Sequence, residues 1–165
     1  TREVMKEHFE EDKFQLFHGD GVTLEEFKDQ SEILDAVIND PPYILKNERY
    51  NPTSEIDLSN LDVDEFMERI EYNFKQLYRL IKTSDFEKKT FYPVITKVGT
   101  GRRGNQGIYD MDLEFQLAAK KAGFVLHDKI FNQLHSPWGA VNWERNYINK
   151  YVMKNYETCL VFMKF

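Results

Sequence analysis

Four adjacent residues, Asp40-Pro41-Pro42-Tyr43, combine a backbone and side chains suited to one kind of chemistry. Proline fixes φ and carries no backbone N–H, so two in succession stop a strand and leave rigid carbonyls with no neighbouring donor. Asp40 adds a carboxylate and Tyr43 a flat ring. The result is an acceptor-rich clamp for a planar ligand bearing an amino group: the acceptors take the N–H protons while the ring covers the π face. At ordinary residue frequencies the tetrapeptide arises by chance on the order of once per thousand chains of this length. Strand stopping alone is therefore a poor account of it.

A second stretch, Gly99-Thr100-Gly101-Arg102-Arg103-Gly104, spells GxGxxG, the pattern of a pyrophosphate-binding turn in dinucleotide-binding sheets. Three details weaken that reading. Asn105-Gln106-Gly107 separate the last glycine from the next helical pattern, the nearest downstream acid at a strand end is Asp128, and two arginines stand where the backbone should approach the ligand. A basic loop is the better account, with Arg102 and Arg103 able to contact phosphate.

Both stretches follow apolar runs that read as strands. DAVIN (35–39) ends at the clamp and FYPVITKV (91–98) ends at the glycines, with further strands at FQLFH (14–18), 124–131 and 157–165. Between them lie helical patterns: a polar helix over 1–12, one from Thr23 to about Gln30 with Glu26 completing a capping box, one over 62–82 and one over 110–122. The stripe Phe66, Ile70, Phe74, Leu77, Leu80 and Ile81 marks the buried face of the third. Strands alternating with helices give an α/β sheet, at least partly parallel. In such sheets ligands bind beyond the carboxyl ends of the strands, where both stretches fall. Residues 44–61 show little periodicity and read as a long loop.

Composition bounds the answer. A chain of 165 residues with 41% apolar content can bury one sizeable core. No run approaches a membrane span, no secretory leader opens the sequence, and the single Cys159 sits in the apolar run TCLVF, which fits a reducing, cytoplasmic setting. The chain begins at Thr1 rather than Met, so a longer protein is expected. Net charge is −6, but it is unevenly spread: residues 1–40 hold 4 basic and 12 acidic side chains, whereas residues 91–165 hold 10 and 6. An acidic first quarter and a basic second half give one polyanion-tolerant face. The four histidines have no metal-ligand spacing, so no metal site is expected. The stretch from His135 to Lys154 interleaves Trp138, Trp143, Tyr147 and Tyr151 with Arg145, Lys150 and Lys154. It suits either nucleic-acid contact or a core packed with aromatics.

Around the clamp the sequence resembles the DNA amino-methyltransferases, which carry [Asp/Asn/Ser]-Pro-Pro-[Tyr/Phe/Trp] after a strand. FQLFHGDGVTLEEF resembles the strand, Gly-Asp and helix before that signature in their permuted members. AAKKAGFVLHDKIFNQ and NYETCLVFMKF resemble later strands, so the likeness runs over most of residues 14–165. It implies a Rossmann-like methyltransferase sheet with flanking helices. It also implies methyl transfer from S-adenosylmethionine to the exocyclic amino group of a base flipped out of DNA, adenine N6 rather than cytosine N4 because Asp opens the signature. Asp40, Pro41, Pro42 and Tyr43 would be catalytic. Asp20 and Asn39 would contact the methyl donor, and Lys46, Arg49, Arg102 and Arg103 the DNA.

The same resemblance exposes a gap. The family's donor-binding strands are not recognised in the sequence, so residues 1–165 are expected to form a partial catalytic domain lacking them. Its parts are a strand-helix-strand over 13–43, a substrate loop over 44–61 and the remaining sheet and helices over 62–165. A second polypeptide or a missing segment would supply the rest. The alternatives are a non-catalytic nucleic-acid-binding subunit, a cytosine N4 or RNA methyltransferase, and a dinucleotide-binding protein using GTGRRG.

Overall fold

The computed structural model describes residues 15–41, 58–99, 101–102, 108–133 and 156–165. Its centre is a four-stranded sheet in the order β1 (Val37–Asn39), β2 (Val94–Val98), β6 (Tyr156–Met163), β5 (Val125–Gln133). β1 and β2 run parallel, with Asn39 level with Thr96; β2–β6 and β6–β5 are antiparallel. A separate two-stranded ribbon joins β3 (Gly101–Arg102) to β4 (Ile108–Tyr109).

Two helices pack on the sheet. In α1 (Val63–Leu80), Asp62 caps the start: its Oδ1 accepts from the backbone N–H groups of Asp64 and Glu65, both at 2.9 Å. The helix ends where Ile81 turns extended and bridges to Leu34. The expected stripe is the buried face, from Phe66 to Ile81, with every member no more than 4% exposed. Asp110 caps α2 (Met111–Lys121), and Gly123, at φ +105°, reverses the chain after it. A side chain at Gly123 would also press on the Tyr78 ring, 3.0 Å away.

Phe74 is the hub of the core, meeting Phe162 at 5.4 Å, Phe124 at 6.0 Å and Phe115 at 6.2 Å, all edge-on. Each such ring contributes about 1.5–3 kcal/mol through burial. Alternation in β2 is strict: Val94, Thr96 and Val98 face the helices, and the residues between them are half-buried.

Two expectations near the N-terminus are corrected. Residues 15–18 form no strand: Leu16 and Phe17 are exposed, and Phe17 instead sets its ring edge-on to Phe27 at 4.9 Å. An isolated extended segment gains nothing without a neighbour to hydrogen-bond, and no described strand lies beside it. The helix from Thr23 shrinks to one 3₁₀ turn, Glu25–Phe27. Thr23 makes no cap, because Leu24 occupies that position in a left-handed conformation (φ 51°). Glu26 does not close a capping box; its carboxylate lies against Gly19. The strand-helix-strand over 13–43 is thus, in its described part, a loop, a single turn and a short strand. The helix over 1–12, residues 44–57 of the loop and the aromatic-basic stretch 135–154 lie outside the described residues.

Candidate functional site

A cleft of about 320 Å³ opens where the parallel strands end. One wall is the loop Gly19–Val22, the other is Asn39, Asp40 and Pro41, and Leu58, Ile70 and Asn73 form the floor. The position matches the general rule for α/β sheets: the carboxyl end of β1 delivers its last residues to the ligand side.

The loop is folded by its own carboxylate. Asp20 Oδ1 accepts from the backbone N–H of Val22 at 2.9 Å, a tight turn that buries Val22 and turns Gly21 outward. Space at Gly21 is open, with no heavy atom within 4 Å of where a side chain would start.

Asn73, on α1 and 6% exposed, ties the loop to the strand. Its Nδ2 donates to the carbonyls of Gly21 (2.8 Å) and Val22 (3.1 Å), and its Oδ1 accepts from Asn39 Nδ2 at 3.4 Å. One buried amide therefore sets the spacing of the two walls. Sequence reasoning passed over it. The available signal was a polar residue within the apolar stripe, one position before Phe74 and three after Ile70.

Of the residues expected to act, the fold brings Asp20, Asn39, Asp40 and Pro41 together around this cleft. Pro41 is buried and anchors the chain, while Asp40 is exposed at the mouth. Lys97, at the end of β2, reaches Asp40 Oδ2 at 3.4 Å and Glu157 Oε2 at 2.9 Å. Pro42, Tyr43, Lys46, Arg49 and Arg103 lie outside the described residues, and for Arg102 only the backbone, in β3, is described. The carboxylates of Asp20 and Asp40 and the amides of Asn39 and Asn73 belong to residues that line the cleft. Among the described residues no cluster of His, Cys, Asp and Glu could hold a metal ion, and no helix is long and apolar enough to cross a membrane.

The glycine-rich stretch is not a dinucleotide fingerprint in this fold. Gly101 pairs with Tyr109 and Arg102 with Ile108 in an antiparallel ribbon, and α2 begins only at Met111. A phosphate-binding turn of that kind needs its glycines to open the helix directly.

No family model matches the sequence, and no curated protein matches it. Solved structures do match. The cytosine-N4-specific PvuII DNA methyltransferase aligns with a TM-score of 0.64 and 17% identity, over 90% of this chain and 48% of that one. TTHA0409 of Thermus thermophilus, a candidate DNA modification methylase solved with S-adenosyl-L-methionine, gives 0.59 and 17% over 88% and 53%. The [4+2]-cyclase SpnF gives 0.54 and 11% over 98% and 61%.

At these identities the likeness is one of fold: a mixed α/β sheet with flanking helices, shared with DNA methyltransferases. The chain spans about half the length of the two methyltransferase structures compared.

Proposed function

We propose that this chain is the base-accepting half of an S-adenosylmethionine-dependent DNA amino-methyltransferase, acting on adenine N6. The observation that carries the reading is the convergence of Asp20, Asn39, Asp40 and Pro41 on one cleft at the carboxyl end of β1.

The exocyclic nitrogen of adenine is a weak nucleophile because its lone pair is delocalised into the ring. In this reading Asp40 and the Pro41 carbonyl accept its two N–H groups and favour a pyramidal nitrogen; its lone pair would form the N–C bond as the methyl–sulfur bond breaks, S-adenosylhomocysteine leaving and one N–H proton passing through Asp40 to solvent. Tyr43 stacks on the flipped base and holds it in plane. The remainder of the rate comes from holding the reacting atoms in line. S-Adenosylmethionine, when bound, supplies a methyl group activated by its sulfonium. Asp20, whose Oδ1 holds the Gly19–Val22 turn at the cleft, would accept from a hydroxyl or ammonium of that donor. Asp at the head of the clamp favours adenine; the likeness to a cytosine-N4 enzyme makes cytosine the competing substrate.

The half-length match bears on partners. Among the described strands β1 lies at the edge of the sheet, and Ile38 on it is 84% exposed. In a parallel ladder whose Val37 N–H already bonds to Pro93 O, Ile38 turns its N–H and C=O away from β2. An edge strand with an exposed apolar residue is a place where a further strand can add. The donor-binding strands, from a further segment or a second polypeptide, would complete the sheet there.

The test is methyl transfer to duplex DNA by the full-length protein that carries this chain, with and without Asp40→Ala. That substitution is expected to abolish transfer and leave folding intact; full activity in the variant would overturn the mechanism.

A further inference from the structure

Thr96 on β2 is fully buried, yet its hydroxyl oxygen has no hydrogen-bond partner among the described residues. A hydroxyl buried without a partner costs free energy that pairing would recover. Thr96 is level with Asn39 on β1. Both side chains lie on the helix side of the sheet: Thr96 in the buried alternation with Val94 and Val98, Asn39 through its contact with Asn73 of α1. Level residues on neighbouring strands stand about 5 Å apart, within reach of a hydroxyl and an amide.

The two amides fix which atoms remain. Asn73 Nδ2 donates to the carbonyls of Gly21 and Val22, so Asn73 Oδ1 is the atom that takes an N–H of Asn39 Nδ2, at 3.4 Å. Asn39 Oδ1 is then left as an acceptor, and the Thr96 hydroxyl beside it is a donor. The contact with Asn73 is long, which leaves the Asn39 amide room to settle against Thr96.

We propose that Thr96 is a positioning residue of the cleft. In the full-length protein its hydroxyl donates to Asn39 Oδ1 and fixes the Asn39 amide, whose second Nδ2 N–H binds an acceptor oxygen of the methyl donor. Rotation of the Thr96 side chain to another staggered position makes the contact. The inference rests on the functional reading above and adds a residue that touches no ligand.

The test separates hydroxyl from shape. Thr96→Val keeps the shape and removes the hydroxyl; Thr96→Ser keeps the hydroxyl and removes a methyl group. In calorimetry of the full-length protein with S-adenosylmethionine, Thr96→Val should raise Kd about tenfold, the scale of one hydrogen bond. Thr96→Ser should recover most of that loss. Valine binding as tightly as wild type, or serine binding as weakly as valine, overturns the inference.

A crystal structure of the full-length protein gives a second readout that needs no ligand. Thr96 Oγ1 should lie about 2.8 Å from Asn39 Oδ1, and a separation beyond about 3.5 Å overturns the pairing. If the wild type binds no S-adenosylmethionine, the functional reading fails, and that separation alone decides whether Thr96 positions Asn39.

Discussion

Replacing Asn73 tests whether one buried amide holds the two walls of the cleft together. In Asn73→Ala the carbonyls of Gly21 and Val22 lose donors at 2.8 and 3.1 Å, and Asn39 loses an acceptor at 3.4 Å. The third contact is long and adds little. The first two are worth about 1 kcal/mol each, and because Asn73 is 6% exposed, leaving the carbonyls dry raises the cost to about 2–3 kcal/mol in all. For a chain of this size that lowers Tm by roughly 4–12 °C. Asn73→Asp sharpens the test. A carboxylate oxygen would then stand where Nδ2 now faces two carbonyls, adding a buried charge with nothing to donate. It should cost more than alanine, at least about 3 kcal/mol. Thermal unfolding followed by circular dichroism gives the order wild type, alanine, aspartate. An aspartate variant as stable as wild type would refute the assigned role of the amide, and an unchanged Tm for alanine would refute the whole account of the floor.

Two further outcomes follow from the same geometry. Glu71 on α1 accepts from Lys75 and from Lys121 of α2, each at 2.9 Å, and these hydrogen bonds, led by that of Lys121, hold its carboxyl below the usual glutamate range. A lowered folded value means the stabilisation is complete above the unfolded value of about 4.5. It is lost as pH falls through the folded value, so the gap in urea midpoint between wild type and Glu71→Gln should be open at neutral pH and close in acid. A gap that widened in acid would contradict the sign. Ile38→Lys, at an 84% exposed edge position, should change the stability of residues 1–165 by less than about 0.5 kcal/mol. It should nevertheless weaken methyl-donor binding by the full-length protein, measured by calorimetry; unaltered binding would remove β1 as the docking edge.

The sequence disclosed the fold where periodicity and caps agreed. The stripe from Phe66 to Ile81 placed α1 within 62–82, close to its observed bounds, and Gly123 marked the end of α2. It misled where a local pattern needed a partner. FQLFH has strand composition but no described neighbour to pair with, and Thr23 with Glu26 spells a capping box that the left-handed Leu24 forestalls. That Asp40 and Pro41 would follow the end of a strand was legible because two prolines in succession stop one. Asn73 was not legible: its contacts join residues 51 and 52 positions apart, and no spacing along the chain announces such contacts. GTGRRG shows the reverse case, a motif whose letters fit and whose ribbon geometry does not.

The most direct measurement is to incubate the full-length protein with methyl-labelled S-adenosylmethionine and duplex DNA, digest the product to nucleosides, and identify the labelled one by mass spectrometry. The account predicts N6-methyladenine from wild type and none from Asp40→Ala. Label on cytosine N4 would contradict the assigned base, and no label in DNA, or equal label from Asp40→Ala, would contradict the clamp itself.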